Sequence, residues 1–282
     1  MTEIIDTVDI VYSDKRIYDY LREKLSLSAT LVKKVKYGGV FINGTAVTMR
    51  ATVKAGDTVL VRLPEKASEN IRPIPMSLDI IYEDEHFIAL NKPSGMPTHP
   101  SKGNHLPTLA EGLCAYFAPH PFVFRAINRL DRETSGIVIV AKDAASANAL
   151  SKVMKASGFI KKYDAIVCGE VNETGIIDAP IGRLKEGDIK RGVIDWGKPA
   201  VTEYKRLKLL DDGNSLVEIR LHTGRTHQIR VHMTHIGHPL FNDFLYGEKV
   251  REGSYFLHAK SISFKNPFTE EIQTLLSPTH FA

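Results

Sequence analysis

Cysteine is nearly absent: Cys114 and Cys168 stand far apart in apolar surroundings. Such a pair fits buried thiols in a reducing compartment and supplies neither a disulfide framework nor a zinc pair. Long apolar runs are missing as well, so no membrane span is expected. The N-terminus, Met1-Thr2-Glu3-Ile4-Ile5-Asp6, lacks the basic-then-apolar order of a signal peptide, and a cytoplasmic location is expected. A strong charge imbalance is missing too. The 37 Lys and Arg against 33 Asp and Glu leave +4, too mild to announce a nucleic-acid partner. There is no internal repeat and no low-complexity tract. Gly39 and Gly44 have P-loop spacing, but Thr45 stands where a lysine is required, so no nucleotide site is expected. His222, His227, His232, His235 and His238 crowd one region without an acidic or cysteine partner at a motif spacing, so no metal is expected. The zinc-deaminase signature is absent, as is Gly-x-Ser-x-Gly around Ser135.

What is present is ordered along the chain. With 282 residues it exceeds the usual single-domain size, so one large and one small domain are expected. The basic excess is local: residues 14–62 hold ten lysines and arginines against four acids. Residues 17–27 carry Ile17, Tyr20, Leu21 and Leu25 at helical spacing. Ser28 caps a second helix that covers Leu31, Val32 and Val35 and ends at Gly38-Gly39. Lys33, Lys34 and Lys36 lie on its outer face, which is either a nucleic-acid contact or merely solvated. Val40-Phe41-Ile42 runs into Asn43-Gly44, the strongest short hairpin signal, and residues 58–61 add a strand. The chain thus divides into a lead (1–13), a small domain (14–62), a proline-rich linker (63–77) and a large domain (78–282).

The large domain is organised around residues 127–142, Ile-Asn-Arg-Leu-Asp-Arg-Glu-Thr-Ser-Gly-Ile-Val-Ile-Val-Ala-Lys. Asp131, flanked by arginines, leads into an apolar β-branched run that reads as a buried strand. A carboxylate so placed is either a reaction centre or a surface ion pair. Three further strings stand out. Asn91-Lys92-Pro93-Ser94-Gly95 is a rigid turn in which Lys92 could face a phosphate. Residues 161–169 read as a strand, with Tyr163 in phase with Ala165 and Val167. Gly224-Arg225-Thr226-His227-Gln228-Ile229-Arg230-Val231-His232 opens a helix expected to end at Gly237.

Asn128-Arg129-Leu130-Asp131-Arg132-Glu133-Thr134-Ser135-Gly136 resembles the His-Arg-Leu-Asp-x-x-Thr-Ser-Gly signature of the RluA-type RNA pseudouridine synthases. The other strings are similar to that family's elements in the same order, and the resemblance runs through residues 78–280. It implies an α+β fold, a mixed and largely antiparallel central sheet flanked by helices. The N-terminal order similarly resembles an S4-like RNA-binding domain. The implied activity isomerises uridine to pseudouridine in structured RNA, ribosomal RNA first and transfer RNA second, without a cofactor and as a monomer. By the same resemblance Asp131 is the reacting carboxylate, attacking C1′ or taking the C2′ proton. Arg230 would pair with it, Tyr163 would stack on the extruded base, and Arg129 would fill the gap left behind. Asn128, Arg225, His227 and Lys92 are further candidates for RNA contact, with Lys33, Lys34 and Lys36 from the small domain. Residues 175–199, rich in Gly, Pro and charge, either cross the RNA face or form a solvated loop. One departure stands out: the family's histidine is Asn128 here, which cannot titrate near neutrality. A non-catalytic RNA-binding or ribosome-assembly factor on the same fold is the competing expectation.

Overall fold

The computed structural model describes residues 2–64, 71–101, 106–120, 122–156, 158–249 and 252–279. In its N-terminal part β1 (Thr2–Thr7), α1 (Ile17–Glu23), α2 (Ala29–Val35), β2 (Val40–Ile42), β3 (Thr45–Ala46) and β4 (Thr58–Leu63) follow in order. The strands form one sheet in the order β1-β4-β2-β3. Local chemistry accounts for the joints. Ser28 accepts a hydrogen bond from Leu31 N and so caps α2. Asn43 and Gly44 both take positive φ, 48° and 79°, as a two-residue hairpin turn requires. Ile17, Tyr20, Leu21, Val32 and Val35 bury against Val40, Val59 and Val61.

The expected lead is corrected here. Residues 2–7 form a full edge strand with Ile4 opposite Val61. Its polar look comes from alternation, since the odd residues 3, 5 and 7 point outward.

The second part contains β5 (Ile80–Glu83), β6 (Phe87–Lys92), α3 (Leu109–Tyr116), β7 (Arg125–Ala126), β8 (Ser135–Ala141) and α4 (Ala144–Lys155). Then come β9 (Ile160–Val167), β10 (Thr174–Asp178), β11 (Ile181–Arg183), β12 (Arg191–Val193), β13 (Val201–Leu209), β14 (Ser215–Leu221), α5 (Gln228–His235), β15 (Leu257–Lys265) and β16 (Ile272–Leu276). One long sheet runs β10-β13-β14-β9-β15-β8-β6-β5, with β16 and β7 attached to β15 and β8. Among the described residues β8 and β15 make its sole parallel pair. The expected mixed, largely antiparallel sheet is therefore present. Residues 175–199 are more regular than a loop, because β11 and β12 pair as a separate hairpin.

The proline-rich stretch is only partly a connector. Residues 65–70 of it lie outside the described residues. Ile71 is buried in the core of the large sheet, and Ile74 N donates to Glu111 O at the end of the first turn of α3. The two parts also touch directly: Asn148 on α4 accepts from Ser28 N at 3.1 Å and donates to Ser26 O at 2.9 Å. A cleft of about 1030 Å³ lies beside this contact, lined by Arg22 and Lys34 from one part and Arg125, Lys152 and Lys155 from the other.

The parallel seam sets up the site. His258 lies opposite Ser135, and Ala259 lies between Gly136 on one side and Tyr163 on the other. Gly136 has φ +107°, and a Cβ there would sit 2.4 Å from Ala259 O. Only glycine fits this approach. The loop that carries Asp131 enters the sheet at this point.

Candidate active site

Asp131 sits just before β8, and its carbonyl accepts from Thr134 N to close a tight turn. Its side chain is 31% exposed. Among the described residues the carboxylate accepts no hydrogen bond, so its lone pairs are open to a reacting partner. The expected neighbour is there. Arg230 Nη1, on α5, lies 3.6 Å from Asp131 Oδ2, an ionic contact just beyond hydrogen-bond length. Tyr163 lies in the middle of β9, buried, at the far side of the same seam.

The sequence reading missed the group that holds Arg230. Its Nε and Nη2 donate to the two carboxylate oxygens of Asp243, each at 2.7 Å. Asp243 is fully buried and Arg230 is 4% exposed. This forked pair fixes the guanidinium plane and leaves Nη1 for Asp131. Burial opposes the Arg230 charge, but the bonds to Asp243 outweigh it. Tyr255 and Tyr246 complete the enclosure, with the guanidinium carbon 4.6 and 4.9 Å from their ring centres. Asn242-Asp243 and Leu245-Tyr246-Gly247 are visible as strings, yet nothing in their spacing says that they meet Arg230.

His227 occupies the N-cap position of α5 with φ 58° and ψ 20°, a left-handed conformation that is unusual outside glycine. Its Nδ1 hydrogen-bonds Tyr246 Oη at 2.8 Å, and its Nε2 lies 3.8 Å from Asp131 Oδ2. Burial lowers its pKa, with Arg230 and Arg191 adding to the effect against Asp131. The contact with Asp131 is therefore not an ion pair at neutral pH. Burial first, and Asp131 second, push the Tyr163 phenol up, and burial does the same for Tyr255, so both remain protonated.

Two expected RNA contacts are corrected. Lys92 is fully buried, and its ammonium donates to three carbonyls, Pro93 O at 2.9 Å, Met96 O at 2.7 Å and Arg132 O at 3.0 Å. All three protons are used, so none is left for a phosphate. Burial brings its pKa down to about 8, and the lysine staples the Pro93–Met96 turn to the Asp131 loop. Asn128 donates to Ile137 O at 2.8 Å and accepts from Ile139 N at 2.9 Å. It braces the chain against β8 rather than facing a ligand. That role needs one donor and one acceptor and no titration, so asparagine in place of histidine is compatible with the site.

Arg129 is exposed, with no partner among the described residues. Arg225 is anchored by Nε to Pro199 O at 2.9 Å. Lys33 and Lys34 on α2, and Lys36 just after it, are exposed, in the other part of the chain.

His232 is structural. Buried His232 must donate from Nε2 to Ala179 O and accept at Nδ1 from Thr202 Oγ1, both at 2.9 Å. Burial lowers its pKa as well. A histidine with a depressed native pKa takes its proton more readily when unfolded. Stability should therefore be full above the unfolded value, near 6.5, and fall as pH drops below it. The expected loss is up to about 1.4 kcal/mol per pH unit for each such histidine. Urea unfolding at pH 7.5 and 5.5 measures it, and equal stability at both would mean that these imidazoles protonate in place.

Comparisons with known proteins address the family of the chain. A family model described as RNA pseudouridylate synthase matches residues 86–235. An uncharacterized RNA pseudouridine synthase of Bacillus subtilis, YjbO, is 39% identical over 90% of this chain and 92% of its own length. The ribosomal large subunit pseudouridine synthase D of Pseudomonas aeruginosa is 36% identical over 77% of this chain and 68% of its own. The solved structure of human RNA pseudouridylate synthase domain containing 1 aligns with TM-score 0.62 at 29% identity, over 74% of this chain and 87% of that one. The chain belongs to the RNA pseudouridylate synthase family.

Proposed function

We propose that this protein converts specific uridines in structured RNA, ribosomal RNA in the first place, to pseudouridine, with Asp131 as the reacting carboxylate. The observation that carries the reading is the open Asp131 carboxylate 3.6 Å from an arginine whose other nitrogens are locked on Asp243. The reaction breaks the N1–C1′ bond, turns the base and joins C5 to C1′. No atom is gained or lost apart from exchange of the C5 proton. Asp131 can attack C1′ or remove the C2′ proton, and Arg230 orients it for either route. Tyr163, protonated and buried, gives the base a flat face and a hydroxyl. Exposed Arg129, two residues before Asp131, can fill the space that the uridine leaves, which offsets a few kcal/mol of unstacking.

The RluA-type assignment rests on the Arg-Leu-Asp-x-x-Thr-Ser-Gly string. An S4-like role for residues 2–63 is supported by the two short helices with outward lysines and the small sheet behind them. Among the described residues no helix is long and apolar enough to cross a membrane, in keeping with work on RNA in the cytoplasm. The names of relatives that act on the large ribosomal subunit favour that RNA as substrate. The test is tritium release from C5-labelled large-subunit ribosomal RNA transcribed in vitro. Release by the wild type supports the reading. No release from this RNA or from labelled total RNA would leave a binding factor on the same fold.

A further inference from the structure

We propose that Arg191, on the β11–β12 hairpin, forms a phosphate-binding subsite at the rim of the candidate site and holds a phosphate of the RNA strand beside the reacting uridine. The inference rests on the reading as an RNA pseudouridine synthase and names a contact that the motif strings do not contain.

Arg191 and Val193 are two apart on β12 and so share a face. Val193 packs with Ile181, Ala200, Val231 and Tyr246, which turns that face inward toward α5. The Arg191 backbone amide donates to Tyr246 Oη at 2.8 Å. The same Tyr246 oxygen hydrogen-bonds His227 Nδ1, and His227 Nε2 approaches Asp131. The hairpin is thus linked to the reacting carboxylate through two side chains.

Against this tied backbone the half-buried Arg191 side chain has one unsatisfied nitrogen. Its Nη1 is buried with no hydrogen-bond partner, and no carboxylate pairs with the guanidinium among the described residues. Leaving a charged donor buried and unpaired is costly, and native proteins seldom do so without a ligand to complete it. The neighbouring charges make the same point. Lys190 Nζ lies 5.6 Å from the Tyr246 ring, so the rim carries a second cation. Arg191 is close enough to His227 to depress its protonation. A phosphate suits this arrangement best, because the planar guanidinium can donate two parallel bonds to its oxygens. A phosphate gripped there would fix the register of the strand while the base turns into the pocket.

The test compares Arg191→Met with Arg191→Lys. Binding of a fluorescent large-subunit ribosomal RNA transcript is measured across a salt series, and single-turnover tritium release across RNA concentrations. Substitution leaves the hydrogen bond from the backbone amide to Tyr246 Oη in place, so the hairpin should keep its position. For Arg191→Met, affinity should fall roughly ten- to hundredfold. The slope of log affinity against log salt should shrink by about 0.7–0.9. The saturating single-turnover rate should stay within about threefold of wild type. Arg191→Lys should recover the salt slope and part of the affinity. Wild-type affinity and slope in Arg191→Met would overturn the proposal. So would equal losses in both variants with an unchanged slope, which would mark a structural role. The binding arm reads the subsite even if the wild type releases no tritium, a result that would count against the isomerase reading alone.

Discussion

Asp131→Asn should abolish pseudouridine formation while the protein stays folded and binds RNA almost as before. The substitution keeps the shape and removes the charge and basicity on which both routes depend. The loss should be on the order of 10²–10⁴-fold, the scale of a positioned acid–base group. Little stability goes with it. The carboxylate is 31% exposed, accepts no hydrogen bond among the described residues, and meets Arg230 Nη1 at 3.6 Å. A contact of that kind contributes about 1 kcal/mol or less. Paired measurements of tritium release and thermal unfolding check the result. Turnover close to wild type would remove Asp131 from the chemistry, whatever else the site does.

Arg230→Met should both silence the enzyme and destabilise it, which a lone Arg230–Asp131 pair would not predict. The sequence reading pairs Arg230 with Asp131 alone, and its loss would then leave a folded, nearly inactive protein. The geometry changes that expectation, because Asp243 is fully buried and loses both of its arginine bonds. Breaking a buried pair from one side costs about 3–5 kcal/mol. The lower end applies here, since Asp243 Oδ1 still accepts from Leu245 N at 3.0 Å and Tyr246 N at 3.2 Å. The double variant Arg230→Met/Asp243→Asn removes the stranded charge and keeps an oxygen for those amides. It should regain part of the stability and none of the activity. Urea unfolding of the two variants measures the effect, and a single variant as stable as wild type would show that Asp243 does not depend on Arg230.

How far the site was legible follows from where each constraint comes from. Asp131, Arg230 and Tyr163 were singled out because each lies in a string that resembles a family element; residue type alone reads Asp131 as readily as a surface ion pair and Tyr163 as a core residue. The Ser28 cap and the Asn43-Gly44 turn were readable from residue type alone. Lys92 and Asn128 misled because a polar residue beside a candidate site looks like a ligand contact. Their partners are backbone carbonyls and amides of segments brought in by folding: Arg132 O lies 40 residues from Lys92. Asp243 was hidden by a subtler difficulty. It is an acid in a polar stretch, and only α5 folding back against that stretch turns it into the buried counter-charge of Arg230. Residues 2–7 were read as a lead because an edge strand with one half-buried face has too few apolar positions to declare itself.

The parallel seam between β8 and β15 has a consequence for when activity can arise. Thr134, three residues after Asp131, reaches Tyr255 Oη across 121 residues of chain. Gly136 meets Ala259 in the same way. Such distant pairing is slow to form, and it needs β15, which joins the two halves of the sheet. A nascent chain emerging from the ribosome therefore already displays its outward lysines, yet its acid has no fixed address until the last strands arrive. Synthesis itself delays the chemistry, because an unfinished copy lacks the strand that holds the acid in place.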